Sequence, residues 1–176
     1  PTDAACQLVV PDVKNIRWSY ANSKALGEQA VIASGLPYQI IVPNNIYGPR
    51  QKNHFVDEFI ARAKTGDIAL YGWENTRSWL YVEDFTEAIE RLINSKSAVD
   101  EKINIGSNDE VEVLKLAEII IQHMGIDKPI EKHDAPEGSV ARRMPDITKI
   151  KSLTQWEPTT SLEEGLKTTV EWYMAQ

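Results

Sequence analysis

Short apolar runs, each closed by turn residues and most followed by a stretch of helical periodicity, constrain this chain more than any other feature. Tyr38 to Val42 (Tyr-Gln-Ile-Ile-Val) sits between Pro37 and Pro43, and this short β-rich run predicts a buried strand. Ile68 to Tyr71, Trp79 to Val82 and the strand end Ile103-Asn104-Ile105-Gly106 repeat that pattern. Helices are expected at Ser19 to Ser34, Phe55 to Lys64, Glu83 to Asn94, Val113 to His123, Thr148 to Leu153 and Leu162 to Met174. Ser19 is a candidate N-cap of the first, and Gly35 stands in its C-terminal cap position. Strands that alternate with helices favour an α/β fold with a parallel sheet, because each parallel pair needs a crossover. The stretches 44–51 and 72–77 read as irregular connections.

Composition narrows the function classes. The 176 residues carry a net charge of −7, which argues against a broad nucleic-acid surface. No long uncharged apolar run is present to span a membrane, and no signal-peptide pattern opens the chain. The single cysteine, Cys6, fits a reducing compartment, so a cytoplasmic location is expected. His54, His123 and His133 lack metal-ligand spacing, and no metal is expected. The opening Pro-Thr-Asp-Ala-Ala-Cys, without an initiator methionine and with Pro1 and Pro11 as breakers, reads as the approach to a later part of something longer.

Against this background one pair carries chemistry. Tyr20 and Lys24 are one helical turn apart, so they share a face with Cβ atoms roughly 6 Å apart. A phenol has a pKa of about 10, and bringing one near 7 takes roughly 4 kcal/mol, which a close cation and a positively charged cofactor can supply. A tyrosinate made this way accepts the proton of a hydroxyl while hydride leaves the same carbon. Spacing alone also describes a solvated helix face.

The context of the pair resolves this. In order along the chain stand Tyr-Ala-Asn-Ser-Lys at 20–24, Asn-Ile-Tyr-Gly-Pro-Arg-Gln at 45–51, Arg-Ser-Trp-Leu-Tyr-Val-Glu-Asp at 77–84, Ile-Asn-Ile-Gly at 103–106, Arg-Met-Pro-Asp-Ile-Thr-Lys at 143–149 and Trp-Glu-Pro at 156–158. This series resembles the extended short-chain dehydrogenase/reductase enzymes that act on nucleotide sugars, namely epimerases, dehydratases and decarboxylases. The resemblance implies the C-terminal part of a Rossmann-like parallel sheet plus a small α+β substrate-binding domain. Residues 1–50 would belong to the former and 51–176 mainly to the latter, with about 78–106 returning to the sheet.

The resemblance also implies roles. Tyr20 is the general base and Lys24 holds the nicotinamide ribose. Pro43 and Asn44 pass the nicotinamide ring of NAD, with NADP as the alternative cofactor. Asn45 and Arg50 belong to the substrate loop, and Arg77 and Arg143 grip the diphosphate of a nucleotide sugar, a task suited to the planar guanidinium fork. Arg142 competes with Arg143 for the inward position. Without the resemblance, Asn44-Asn45 is equally a turn pair that tolerates left-handed backbone.

Plainer tasks fall to other residues. Trp79, Leu80, Tyr81 and Val82 are expected to pack beneath Arg77, Asp84 to cap its helix, Trp156-Glu157-Pro158 to anchor the last helix, and His54 to face solvent. Trp73, in Gly72-Trp73-Glu74-Asn75-Thr76 where relatives carry a smaller loop, either reshapes the ligand pocket or is a surface substitution. Ala25, Leu26, Ala30 and Val31 are either a homodimer face or interior core. The family's glycine-rich dinucleotide motif and its catalytic serine or threonine do not occur in the matching order here.

The expected activity is transient oxidation of a sugar hydroxyl by an NAD-dependent epimerase or dehydratase. A UDP-glucuronate decarboxylase is the alternative, suggested by the run 11–20 and by Arg143. A non-catalytic binding or assembly fragment is the alternative of another class.

Overall fold

A computed structural model of the chain describes residues 1–7, 9, 14–16 and 18–176. The Pro11 breaker, and Pro11, Asp12, Val13 and Arg17 of the 11–20 run, lie outside the described residues.

Helix α1 covers Trp18–Ala33 and starts one residue before the expected N-cap. Ser19 is therefore inside the first turn. The chain enters through a turn in which Asn15 and Ile16 carbonyls accept from Trp18 N and Ser19 N at 3.1 and 3.0 Å, so backbone does the work assigned to the serine hydroxyl. Gly35 closes the helix at φ +69 as expected. No residue of α1 is buried. Within this chain Ala25 is half-buried and Leu26, Ala30 and Val31 are exposed.

Strand β1 (Gln39–Pro43) leads through β2 (Ile46–Tyr47) to α2 (Phe55–Lys64). Next come β3 (Ala69–Tyr71), β4 (Thr76–Ser78), β5 (Leu80–Tyr81), α3 (Val82–Ile93) and β6 (Glu101–Ile105). The rest comprises β7 (Glu110–Glu112), α4 (Val113–His123), β8 (Glu131–His133), β9 (Arg142–Arg143), α5 (Thr148–Thr154) and α6 (Leu162–Met174). Helices α2, α4 and α6 have the boundaries their periodicity predicts. The stretch expected to be irregular at 44–51 holds β2, and Arg77 lies in a strand rather than a loop. Both strands are too short for a period-two signal.

The parallel pairing expected from the alternation is present. β1 pairs with β6 in register Gln39↔Glu101 to Pro43↔Ile105, β2 with β5, and β3 with β8, all parallel. A fourth sheet places β4 between antiparallel β7 and parallel β9. Two apolar cores result. One joins α2, α4 and α6 through Phe59, Ile60, Leu116, Ile120, Leu166 and Val170. The other gathers Leu80, Leu92, Ile103 and Ile105 with Ile147, Ile150 and Trp156 from the distant tail.

Three residues knit the cores together. Asp84 is not the cap of α3: the helix starts at Val82, with Tyr81 in the N-cap position. Its buried carboxylate instead accepts from Thr159 N at 3.2 Å, Thr159 Oγ1 at 3.1 Å and Thr160 N at 3.1 Å. The correction has a physical cause, since the segment before α6 docks across the first turn of α3 and brings two unpaired N–H groups to the carboxylate. Tyr47 is buried, which raises its phenol pKa, and it lies against Gly165 of α6. A Cβ on Gly165 would stand 2.2 Å from Tyr47 Oη and 3.0 Å from the Tyr81 ring. Gly165→Ala is therefore expected to destabilise the fold by about 1–3 kcal/mol through overpacking, outweighing the roughly 1 kcal/mol by which alanine favours a helix. A urea midpoint equal to wild type would show that the two helical layers can part.

Among the described residues, no helix is long and apolar enough to cross a membrane.

Candidate functional site

The loop from β1 to α2, the end of β3 and strand β4 enclose a cleft of about 280 Å³. Asn45, Gln51, His54 and Phe55 line one side, Tyr71, Gly72, Asn75 and Arg77 the other, with Trp79, Val113 and Ser139 behind. Asn45 takes a left-handed backbone at φ +40, fulfilling the turn role that asparagine tolerates. Its amide donates to Ser78 O at 2.8 Å, and its carbonyl accepts from Leu80 N at 3.1 Å. Asn45 is thereby pinned to the strand pair that carries Arg77.

Arg77 is half-buried on β4, and its guanidinium donates to the carbonyls of Thr76, Ala141 and Val140. Parallel pairing sets Arg77 directly opposite Arg143 on β9. Burial first, and then the charge of Arg143, push the Arg77 pKa below the ordinary guanidinium value. Among the described residues no carboxylate lies within ion-pair distance of either arginine.

Their neighbour Arg142 is spoken for. Its Nε and Nη2 both reach Glu110 on β7 at 2.7 Å, while Thr76 Oγ1 reaches the same carboxylate at 2.5 Å. These bonds, the Arg142 one first, pull the Glu110 pKa from 4.5 down to about 2. The folded value is the lower one, so the stabilisation is complete above about pH 4.5 and is lost as pH falls towards about 2. Amide exchange in β4, β7 and β9 is expected to quicken across that window, and Glu110→Gln is expected to abolish the pH dependence; an unchanged profile in the variant would assign it elsewhere.

A second cleft, of about 490 Å³, opens at the carboxyl ends of β1 and β6. Val42, Asn44, Trp18, Glu28, Lys102 and Arg143 are among its walls. Asn44 is fixed by its N–H to Ile105 O at 2.9 Å, and α1 is tied to β6 by the Lys102–Glu28 ion pair at 2.6 Å. Gly106, just past β6, keeps this floor close, since a Cβ there would stand 2.5 Å from the Pro145 ring and 3.2 Å from Asn44 Cβ.

Other expected site residues fall elsewhere. Tyr20 is 71% exposed on α1, with Lys24 Nζ 5.2 Å from the centre of its ring, and neither lines the two clefts. The spacing thus yields the expected contact but does not bring the pair to Asn45 and Arg77. Arg50, at φ +69, is turned away from the first cleft into a groove between α2 and α6. Trp73 is half-buried against the first core beneath Lys132, whose Nζ is 4.6 Å from its ring centre, and it lines neither cleft. His54 is exposed as expected, yet it borders the first cleft at the start of α2. His123 Nε2 lies 3.0 Å from Glu163 Oε1 without hydrogen-bond geometry, and His133 stacks on Tyr71 at 4.8 Å.

Several lining residues escape sequence reasoning. Gln51 ends a recognisable segment, but Asn75 and Ser139 stand in irregular connections with no periodic or motif signal.

A family model described as GDP-mannose 4,6 dehydratase matches residues 13–169. The chain is 38% identical, over 90% of its length, to the UDP-N-acetyl-alpha-D-glucosaminuronate decarboxylase of Bacillus cytotoxicus, and covers 54% of that protein. Among solved structures it resembles the UDP-glucose 4-epimerase of Thermotoga maritima with UDP-glucose, at 30% identity and a TM-score of 0.77, covering 88% of this chain and 52% of that one. It also resembles the dTDP-glucose 4,6-dehydratase of Bacillus anthracis in complex with NAD, at 34% identity and a TM-score of 0.69, covering 77% of this chain and 44% of that one. The chain spans about half the length of the curated relatives it matches.

Proposed function

This chain belongs to the GDP-mannose 4,6 dehydratase family, and from that premise we propose that the protein carrying it is an NAD-dependent nucleotide-sugar epimerase or dehydratase. One observation carries the substrate class: Arg77 and Arg143 are paired across β4 and β9 with no carboxylate at ion-pair distance among the described residues, in a chain of net charge −7. Two adjacent guanidinium groups repel unless an anion lies between them, and a diphosphate offers two negative centres that match their forks. Asn45, in the same cleft as Arg77, orients the substrate beside that arginine, while Arg143 reaches from the wall of the second cleft. Arg142, held by Glu110, positions β9 and leaves the inward task to Arg143.

The cofactor half of this reading rests on the second cleft. Ligands of open α/β sheets sit outside the carboxyl ends of the strands, where Pro43, Asn44 and the close floor at Gly106 lie. Pro43 and Asn44 would pass the nicotinamide ring, and Lys24 would hold its ribose; NAD rather than NADP is the preferred form. When bound, NAD supplies the acceptor for hydride. Tyr20 Oη takes the proton of the sugar hydroxyl, and Lys24 supplies the positive charge beside it. Residues 1–50 and about 78–106 are proposed as the sheet part and the remainder of 51–176 as the substrate part, although Tyr47 and Tyr81 pack in the first core and Ile147, Ile150 and Trp156 in the second.

A decarboxylase is the second reading, favoured by the 38%-identical relative of that name. Incubating the full-length protein with NAD and UDP-glucuronate and following products by NMR separates the two: a 4-epimer supports epimerisation, whereas release of carbon dioxide replaces it with decarboxylation. No turnover of UDP-, dTDP- or GDP-sugars, with no calorimetric NAD binding, would favour the non-catalytic fragment. In the enzyme, Arg77→Ala is expected to weaken nucleotide-sugar binding by about 1.5–3 kcal/mol, the worth of hydrogen bonds to a charged group. Unchanged binding would remove Arg77 from the diphosphate site.

The face of α1 that carries Ala25, Leu26, Ala30 and Val31 is proposed to meet a second copy in a cytoplasmic homodimer. Sedimentation of the full-length protein as a monomer would refute this.

A further inference from the structure

A third cleft, of about 540 Å³, runs between α2 and the C-terminal turn of α6, within the size range of small-molecule sites. Its floor is Ile60, fully buried, beside Ala61 of α2; its wall is Trp172 and Tyr173, packed edge to face at 4.8 Å. Three cations stand at the rim. Arg50 is held over it by a left-handed backbone, and neither Arg50 nor Lys52 has an ion-pair partner among the described residues. Lys64 Nζ donates to Tyr173 O at 2.9 Å. The one acidic residue of the lining, Asp57, is occupied by the N–H groups of Asn53 and His54 at 2.9 and 3.0 Å. Unpaired positive charge beside an apolar, aromatic surface is unusual on a chain of net charge −7.

We propose that this groove is a second ligand site, one for a nucleoside monophosphate, with the base against Trp172 and the phosphate at Arg50 and Lys52. The chemistry selects that class. A bare inorganic anion has no use for the aromatic wall, and an uncharged aromatic compound none for the two unpaired cations. A flat base stacks on an indole while guanidinium and ammonium groups take the phosphate oxygens. The site does not depend on the activity proposed above, since none of Tyr20, Lys24, Asn45, Arg77 or Arg143 lines it. Gln51 borders both this groove and the first cleft, and its main-chain carbonyl accepts from Tyr173 Oη, so the two are physically joined.

Photolabelling locates the ligand independently of any other nucleotide site. Full-length protein is irradiated with 8-azidoadenosine monophosphate, and the labelled peptides are identified by mass spectrometry. Label is expected on Trp172 or Tyr173, competed by AMP and far less by inorganic phosphate or adenosine. Lys52→Glu, a change at an exposed side chain without an ion-pair partner among the described residues, is expected to cut that label at least about ten-fold through charge reversal at the phosphate. Trp172→Leu, which keeps bulk but removes the flat face, is expected to cut it similarly. Label confined to other peptides, label unaffected by Lys52→Glu, or competition by phosphate alone as strong as by AMP would each overturn the proposal.

Discussion

Replacing Tyr20 with phenylalanine in the full-length protein is expected to lower turnover by about 10²–10⁴-fold, the range that a positioned general acid–base group contributes. The substitution removes one oxygen and keeps the ring, so the stack with Lys24 Nζ, 5.2 Å from its centre, survives. The change deletes a single hydroxyl, and the unfolding free energy is expected to stay within about 0.5 kcal/mol of wild type. Nucleotide-sugar affinity should also hold, since Arg77 and Arg143 are on other elements. A loss in kcat without a loss in binding is the signature of a group that acts only in the transition state. Turnover within a few-fold of wild type would end the assignment of Tyr20 as base. Lys24→Met then separates the partner's role, because it keeps length while removing the charge.

The largest effect on stability is expected at Trp156. Trp156→Ala should cost about 3–5 kcal/mol in urea denaturation, as for other large aromatic side chains removed from a core. The indole is fully buried among Leu80, Ile103, Ile147 and Ile150, so it clamps the tail onto the sheet. It also begins the segment whose Thr159 and Thr160 N–H groups reach Asp84, and losing the clamp loosens that tether and the approach to α6. The indole Nε1 is buried without a hydrogen-bond partner, which tempers the expectation for a smaller change. Trp156→Phe keeps much of the volume and removes the orphaned donor, and should cost markedly less than alanine. A cost below about 1 kcal/mol for Trp156→Ala would mean the tail is held by the Asp84 bonds instead of by packing.

Much of the fold is legible in the chain because helical periodicity and apolar runs are local signals. α2, α4 and α6 have the boundaries their patterns imply, since each buries one stripe against the same core. The misread elements are those whose partners are far away. Strands β2 and β4 are two and three residues long and exist because β5, β7 and β9 pair with them. Asp84 looks like a cap in a first turn, yet its partners are 75 and 76 residues onward. The site divides the same way: Asn45 and Arg77 stand in recognisable segments and share a cleft, whereas Asn75 and Ser139 join them without any sequence signal.

By itself, then, the sequence determines the alternation of strands and helices, the parallel character of the pairing and the turn-by-turn proximity of Tyr20 and Lys24, because these follow from residues a few positions apart. Only the tertiary structure decides how the four arginines are used. Strand register sets Arg77 against Arg143, a carboxylate 32 residues away claims Arg142, and a left-handed backbone swings Arg50 into another groove. Charge has no period along a chain. Its role is settled by which opposite or like charge the fold brings within a few ångströms, where the interaction is strongest and least screened.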